Sequence, residues 1–303
     1  MADRRLQVFH AVAKQLSFTK AAEVLFMTQP AVTFQIKQLE EHFSTRLFDR
    51  GHGRITLTPA GDVVLGYAER ILGLSSEMDV RLSELTGEIG GSLMVGASTT
   101  IAEFMLPGIL GEFKSTYPGV RSHLIVGNSE TIEHRVMEHT IDIGFIESLP
   151  HEPTLEGVVC CDDELVVICH PRFPLARNKE LTPQKLLGHA FISREPGSGT
   201  REFTEKFFRN SGIAFDQMNV VMELGSPISL NGVVETGLGF AIASRVSVTK
   251  EQRLGDIVAI PLRPRLIRPL SMVYPKEKFR SRLVAAFVDF ASVRLRDPVT
   301  TKS

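Results

Sequence analysis

Hydroxyl and amide side chains cluster in three short segments, each of which lies between a predicted strand and the helix that follows it. Their members are Ser98, Thr99 and Thr100, then Asn128 and Ser129, then Ser198, Gly199 and Thr200. Hydroxyl groups and free backbone N–H groups at a helix start favour an anion through hydrogen bonds and the helix dipole. Because ligands of open α/β sheets lie at the carboxyl ends of the strands, we expect one anion site from all three. The alternative is that these residues only cap their helices.

Glu147 follows the predicted buried strand Ile141–Ile146 and adds a carboxylate to this group. A carboxylate repels an anionic ligand unless it pairs with Arg or the ligand is protonated. The alternative for Glu147 is an exposed loop residue without a ligand. The many hydroxyl groups and few aromatic residues favour a small oxyanion or a short carboxylate over an aromatic acid.

The sequence contains none of the common catalytic or metal-binding motifs. Its nine histidines are scattered singly, without an HExxH or GxSxG pattern. The loop Gly197–Thr200 is not a P-loop, because no Lys precedes Thr200, and Gly237–Gly239 follows a helix instead of opening one. We therefore expect no catalytic residue, no metal and no cofactor besides the small anionic ligand.

The three cysteines are Cys160, Cys161 and Cys169. An odd number without CxxC spacing is typical of a reducing compartment. Burial as small apolar side chains is the simpler interpretation of these residues. A redox sensor that uses these thiols is the alternative mode of signalling.

Composition and charge indicate a globular protein. Of the 303 residues 43% are hydrophobic and 23% are charged, and no apolar run reaches the roughly 20 residues that span a bilayer. The start Met-Ala-Asp-Arg-Arg has no apolar segment, so we expect a cytoplasmic protein without membrane contact. Residues 1–58 carry eight Lys/Arg and five Asp/Glu, a net charge of +3. Since the whole chain has a net charge of −1, the remainder carries −4. This mild basic bias agrees with nucleic-acid binding without establishing it.

The N-terminal segment predicts two short helices joined by a tight turn. Ser17 and Thr28 stand where N-caps are expected, and Pro30 lies in the first turn of the second helix. Such an arrangement lets the start of the second helix enter the DNA major groove. Residues 47–57 then predict a two-stranded hairpin, the wing, with a basic tip at Gly51–Arg54.

Residues 59–86 predict one long helix. Seven of its residues alternate by four and three positions: Val64, Ala68, Ile71, Ser75, Met78, Leu82 and Leu85. This spacing averages about 3.5 residues, as a coiled-coil partner requires, whereas a helix on its own domain prefers a broader apolar face. We therefore expect this linker helix to dimerise. The glycine-rich residues 87–91 predict a hinge.

Residues 92–303 alternate apolar strands with helices, which predicts an α/β domain with mostly parallel strands. The chain is expected to cross between two lobes near Cys161–Asp163 and near Leu266–Arg268. Lobe I then comprises about residues 92–162 and 267–297, and lobe II about residues 163–266. The predicted domains are thus 1–58, 59–86, the hinge 87–91, and 92–303.

The chain resembles the LysR-type transcriptional regulators. Six blocks keep the relative spacing of that family: Leu6–Phe9, Ser17–Ala22, Thr28–Thr33, Gln38–Glu40, Leu47–Arg50 and Leu57–Gly61. The similarity extends more loosely over the whole chain and is greatest to branches that control sulfur assimilation or carbon fixation. It implies an all-α winged helix-turn-helix, a coiled-coil linker helix and a two-lobed effector domain like the periplasmic binding proteins.

The resemblance also implies partners and a ligand. The expected partners are double-stranded DNA with inverted half-sites, a homodimer or homotetramer of the chain, and RNA polymerase. The ligand is a small anionic co-inducer, with sulfite or sulfate as the first candidate and a carboxylated or phosphorylated metabolite as the second.

DNA-contacting residues follow from the matching motif positions. The groove-facing residues are Thr28, Gln29, Pro30, Ala31 and Thr33, and those near phosphates are Lys37, Arg50 and Arg54. Arg54 is also within reach of the minor groove. Phe34 departs from the family pattern, since many relatives have Arg there, and an apolar contact with a thymine methyl group would replace the basic contact.

Overall fold

In the computed structural model, the described residues are 4–25, 27–51, 54–86, 89–276 and 281–296. They fall into two compact units, Met1–Glu88 and Ile89–Ser303. Each unit encloses a hydrophobic core of its own. No helix among the described residues combines the length and the apolar character needed to cross a membrane.

The N-terminal unit is a winged helix-turn-helix, as predicted. It contains helices α1 (Arg4–Gln15), α2 (Phe18–Val24) and α3 (Gln29–Phe43), the antiparallel strands β1 (Phe48–Gly51) and β2 (Arg54–Leu57), and helix α4 (Pro59–Thr86). Apolar residues from α1, α2 and α3 meet Phe48 in one core, because each helix turns its apolar stripe inward. His52 and Gly53, at the predicted wing tip, lie outside the described residues.

The two predicted caps differ in the structure. The Ser17 side chain accepts a hydrogen bond from the Lys20 backbone N–H at 3.3 Å and so caps α2. Thr28 stands at the N-cap position of α3, but its side chain makes no capping hydrogen bond. Pro30 at the second position of α3 has no N–H group, which removes one of the two donors such a cap would use.

Helix α4 extends over the predicted residues, but its seam is shorter than expected. Val64 packs against the winged-helix core and Ala68 is fully buried in it. These two positions face their own unit because α4 packs along α1. Ile71 and Met78 are exposed, and together with Val63, Tyr67 and Leu74 they form an exposed apolar face on the described part of α4. The side chains of Leu82 and Leu85 lie outside the described residues.

The C-terminal unit is built on one mixed eight-stranded sheet in the order β4-β3-β5-β10-β6-β9-β7-β8. Its strands are β3 (Gly91–Ser98), β4 (Val120–Gly127), β5 (Ile143–Ile146), β6 (Leu155–Cys169), β7 (Ala190–Arg194), β8 (Asn219–Leu224), β9 (Phe240–Ser244) and β10 (Val258–Pro275). Its helices are α5 (Thr99–Phe104), α6 (Leu106–Thr116), α7 (Ser129–Met137), α8 (Gly199–Asn210), α9 (Pro227–Glu235), α10 (Thr249–Leu254) and α11 (Arg282–Arg296).

Strands β6 and β10 connect two lobes. They pair antiparallel from Val258 opposite Cys169 to Pro275 opposite Leu155, with register shifts near the middle. Leu165 and Leu266 belong to the core of lobe II, whereas Cys160 and Leu270 belong to that of lobe I. The two lobes therefore meet inside these strands.

Two further expectations differ from the structure. The predominantly parallel arrangement holds only within each lobe, where β3 pairs with β4 and β5, and β7 with β8 and β9. Of the predicted hinge, Gly91 already belongs to β3, and Gly87 and Glu88 lie outside the described residues.

Candidate functional site

The start of α3 presents most of the predicted DNA-contacting residues at the surface of the N-terminal unit. Thr28, Gln29 and Pro30 are exposed, and Ala31 and Thr33 are half-buried. The Gln29 amide nitrogen donates to the Thr33 hydroxyl at 2.9 Å. The opposite face of the helix is buried in the core, which fixes the orientation of this polar face.

Phe34 and Lys37 continue this face one turn further on. Phe34 is 57% exposed, so its ring contributes little to the core and is available for an apolar contact. The Lys37 ammonium lies 3.6 Å from the Glu41 carboxylate. Because this ion pair is exposed and weak, a DNA phosphate can readily take the place of Glu41 as the partner of Lys37. Arg50 and Arg54 lie on β1 and β2 as predicted, but their side chains are outside the described residues.

In the C-terminal unit, a buried carboxylate lies where the predicted anion site was expected. Glu147 follows β5 and is 1% exposed, so the expectation of an exposed loop residue is wrong. The Ser98 hydroxyl donates to Glu147 Oε1 at 2.9 Å, and the Thr200 hydroxyl donates to Oε2 at 3.1 Å. These two hydroxyl groups come from different lobes. The predicted ligand contacts therefore converge, but on an internal carboxylate.

Arg268 supplies the positive charge that this carboxylate needs. It lies on β10 with 0% exposure, and its Nη1 donates both to Glu147 Oε2 and, at 2.8 Å, to the Thr200 hydroxyl. Its Nε donates to Asp163 Oδ2 at 2.8 Å, and the Ser244 hydroxyl donates to the other Asp163 oxygen at 2.6 Å. The buried network thus alternates carboxylate, guanidinium and carboxylate at the junction of the lobes.

These partners keep Glu147 ionised. Burial alone would raise the pKa of Glu147, but the nearby guanidinium groups of Arg268 and Arg194 and hydrogen bonds from Thr100 and Ser98 lower it to about 2. At neutral pH the Ser98 and Thr200 hydroxyls therefore already donate their hydrogen bonds to a fully ionised carboxylate.

Sequence reasoning did not identify Arg268, Asp163 or Ser244 as site residues. A signal was present for Arg268, which is the only charged residue in the mostly apolar run Leu266–Tyr274. An arginine inside a buried strand requires a carboxylate partner. Which carboxylate it meets depends on the pairing of distant strands.

Among the remaining predicted residues, Thr99 and Asn128 make contacts between the lobes, and Ser129 makes one within lobe I. The Arg194 guanidinium donates to the Thr99 hydroxyl at 3.0 Å. Asn128 caps α7 by accepting from the Thr131 N–H at 2.9 Å, and its amide nitrogen also donates to the Pro196 carbonyl at 3.2 Å. Ser129 accepts a hydrogen bond from the Glu147 backbone N–H at 3.2 Å. Capping alone therefore does not describe Asn128.

Ser98 and Ser198 stand at the N-cap positions of α5 and α8, yet neither side chain makes a capping hydrogen bond. The capping alternative is thus wrong for both. The Ser198 hydroxyl is buried and has no hydrogen-bond partner among the described residues. A buried hydroxyl without a partner is unusual and marks a place where a ligand or water can bind.

Gly199 allows the two lobes to approach closely. A Cβ atom at this position would lie 2.6 Å from Glu147 Cβ and 2.9 Å from the Glu147 carbonyl oxygen. Both distances are shorter than van der Waals contact, and one involves backbone. Any residue larger than glycine must therefore separate α8 from the end of β5.

Two spaces adjoin this network. A cavity of about 10 Å³ is lined by residues that include Thr100, Arg194, Thr200 and Ser244. It accommodates about one water molecule. A larger cleft of about 460 Å³ is lined by Ser129 and Ser198, among others. The predicted ligand residues are thus divided between a small cavity and a larger cleft.

The cysteines have no features of a redox site. Burial raises the pKa of the Cys160 and Cys169 thiols to about 11, and burial together with Cys160, Asp163 and Asp162 raises that of Cys161 to about 12. Thiols with such pKa values are protonated and unreactive near neutral pH. Within the described residues, no group of three or more His, Cys, Asp or Glu side chains is placed to hold a metal ion.

A winged helix-turn-helix and a two-lobed ligand-binding fold in one chain define a ligand-responsive regulator of transcription. Residues 86–296 match the family described as LysR substrate binding domain, and residues 4–62 match the bacterial regulatory helix-turn-helix protein, lysR family. The chain belongs to the LysR family of DNA-binding transcriptional regulators. Its function is therefore regulatory and not enzymatic.

Several relatives are similar over nearly their full length. A probable RuBisCO transcriptional regulator of Cyanidioschyzon merolae is 33% identical over 291 residues, covering 93% of this chain and 95% of that protein. The HTH-type transcriptional activator CmpR of Synechocystis sp. is 33% identical over 291 residues, covering 94% and 93%. These relatives confirm the expected similarity to a carbon-fixation branch.

A solved structure shares the C-terminal fold. The regulatory domain of CcmR from Synechocystis PCC6803, in complex with 2-PG, aligns with a TM-score of 0.63 and 27% identity. The alignment covers 68% of this chain and 98% of that domain.

Proposed function

We propose that this regulator is controlled by a small anionic co-inducer that binds between the two lobes and competes with the Glu147 carboxylate for its donors. The observation that carries the proposal is the convergence of Ser98 from lobe I, Thr200 from lobe II and Arg268 on one carboxylate. A donor set that holds one carboxylate suits another carboxylate or a phosphoryl group.

The closed geometry provides the link between binding and regulation. The cavity beside Thr100 and Arg194 has room for about one water, so an anion enters only if Glu147 moves or the lobes separate. Binding therefore shifts the population between two arrangements of the lobes. In our proposal this shift changes the arrangement of the homodimer or homotetramer and the bend of its DNA site, and with it the contact to RNA polymerase.

The structure and the relatives favour one ligand class. The internal anion is a carboxylate, and the CcmR domain was solved with 2-PG. Both support a carboxylated or phosphorylated metabolite over sulfite or sulfate, which had ranked first from the sequence.

Isothermal titration calorimetry of the full chain with 2-PG, sulfite and sulfate tests this proposal. The Ser98→Ala, Thr100→Ala double variant should weaken binding at least about tenfold, the scale of one lost hydrogen bond to a charged group. Glu147→Gln should tighten it at least about tenfold, because a like charge near contact distance is removed. Ser115→Ala, whose hydroxyl bonds only within α6, is the matched control.

Two results would contradict the proposal. If none of the three anions binds the wild-type chain, the anionic class is wrong. If Glu147→Gln weakens the binding of the anion that the wild type binds, the competition with Glu147 is wrong even though an anion site exists.

A further inference from the structure

His151 connects the two lobes at the mouth of the larger cleft. It lies between β5 and β6 on lobe I, and its Nδ1 is 3.1 Å from Glu133 Oε2 on α7 of the same lobe. Its Nε2 is 3.4 Å from Glu202 Oε1 on α8 of lobe II. The backbone N–H of His151 also donates to Glu133 at 2.9 Å, so Glu133 fixes the position of the ring.

This geometry requires a protonated ring. Both nitrogens of His151 face carboxylate oxygens, which only accept hydrogen bonds. A neutral imidazole has one N–H group and one acceptor nitrogen, so it can bond to one carboxylate while its lone pair repels the other. Only the imidazolium form donates to Glu133 and Glu202 together.

Charged groups surround His151 on each element that lines the cleft. They are Glu130, Glu133 and His134 on α7, Glu152 beside it in the loop, and Arg201, Glu202 and Glu205 on α8. The Arg201 guanidinium is already engaged by Glu205 at 2.7 Å and by Glu223. The carboxylates therefore dominate and favour a positive charge on His151.

The pKa of His151 agrees with this geometry. Burial would lower it, but the hydrogen bonds and charges of Glu133 and Glu202 raise it above its ordinary value of 6.5. Nearby lobe-to-lobe hydrogen bonds, from the Glu130 N–H to the Gly197 carbonyl at 3.4 Å and from Asn128 to Pro196, involve uncharged groups. They do not titrate near neutral pH, so His151 is the pH-sensitive connection.

We propose that His151 acts as a proton-operated latch between the lobes, joined to Glu202 when protonated and released when neutral. Because the closed form raises the affinity of His151 for its proton, protons stabilise the closed form by linkage. The stabilisation is complete below the ordinary pKa and is lost as pH rises through the raised pKa. The regulator thereby senses acidification through a residue that lies outside the proposed anion site.

Pulsed electron–electron double resonance on the full chain can measure this closure. Spin labels at Ser115→Cys on α6 and Arg209→Cys on α8 report the distance between the lobes. The native cysteines are replaced by Ala, and labelled subunits are diluted with unlabelled chain. From about pH 5.5 to about pH 8.5, the ratio of closed to open lobes should fall about threefold, the scale of a partly exposed ion pair.

Variants distinguish a latch from general electrostatics. His151→Gln and Glu202→Gln should abolish the pH dependence, whereas Glu205→Gln, with the same charge change one turn further along α8, should retain it. The proposal is overturned if the wild-type distances do not change with pH. It is equally overturned if Glu202→Gln titrates like the wild type, or if Glu205→Gln loses the dependence as completely as Glu202→Gln.

Discussion

Arg268→Met removes the guanidinium that joins the carboxylates of Glu147 and Asp163 inside the C-terminal unit. Met has a similar length and no charge, so the change isolates the electrostatic contribution. Both carboxylates stay buried without their positive partner. Breaking a buried ion pair from one side costs about 3–5 kcal/mol of unfolding free energy.

The lowered pKa of Glu147 indicates how strongly the fold stabilises its negative charge. A pKa lowered from 4.5 to about 2 corresponds to about 3 kcal/mol of stability at neutral pH. Since about 1 kcal/mol shifts the melting temperature of a domain of this size by 2–4 °C, we expect the variant to melt about 10 °C lower.

The pH dependence has a definite sign. In the wild type the pKa of Glu147 is lowered, so its stabilisation is present above the ordinary pKa of 4.5 and is lost as pH falls towards about 2. In Arg268→Met, burial dominates and raises the pKa of Glu147. The variant should therefore be most destabilised at neutral pH and should recover part of the loss at mildly acidic pH.

Differential scanning calorimetry of the full chain measures this shift. Arg245→Met is the matched control, since Arg245 pairs with Glu164 at 2.7 Å near the surface and such pairs contribute at most about 1 kcal/mol. Adding Glu147→Gln to Arg268→Met should restore about half of the lost stability, because one of the two unpaired charges is removed. If Arg268→Met melts as close to the wild type as Arg245→Met does, the assignment of a stabilising buried network is refuted.

Three further predictions concern other parts of the chain. Gly199→Ala should separate α8 from Glu147 and shift the same spin-label distances towards the open form at every pH. An unchanged distance distribution would mean that the structure easily accommodates the added Cβ atom. In fluorescence anisotropy with operator DNA, Lys37→Ala should weaken binding to all sequences and lower the slope of log affinity against log salt concentration by about 1. Gln29→Ala should reduce the binding free energy by about 1–3 kcal/mol only on the cognate site. Equal losses on every sequence would argue against base readout by Gln29. Because the pKa of the Cys161 thiol is about 12, iodoacetamide at neutral pH should alkylate it at least about tenfold more slowly in the native than in the urea-unfolded chain; equal rates would restore the redox alternative.

Local patterns in the sequence determined the elements and the class of protein. The helix-turn-helix follows from apolar spacing, from Ser17 at a cap and from Pro30 in a first turn, all of which act within a few residues. The extent of α4 and the order of strands and helices after residue 91 were likewise evident from periodicity. The family motifs then indicated a LysR-type regulator.

The seam on α4 shows where such local patterns are insufficient. Its spacing indicated one continuous partner face, but Val64 and Ala68 are taken up by the core of their own unit. A periodic stripe shows that a face is buried and does not show what buries it. That choice depends on the packing of α1 against α4.

The sequence by itself placed the hydroxyl-bearing segments at the ends of strands and so predicted that Ser98 and Thr200 would meet, but it left Glu147 open between this site and an exposed loop. Only the tertiary structure decided which partners these side chains bind. Arg268 reaches Glu147 and Asp163, which are 121 and 105 positions away in the sequence, because β10 runs antiparallel between β5 and β6. The physical reason is that a buried charge is stabilised by its spatial neighbours, and those neighbours are set by strand register rather than by sequence distance.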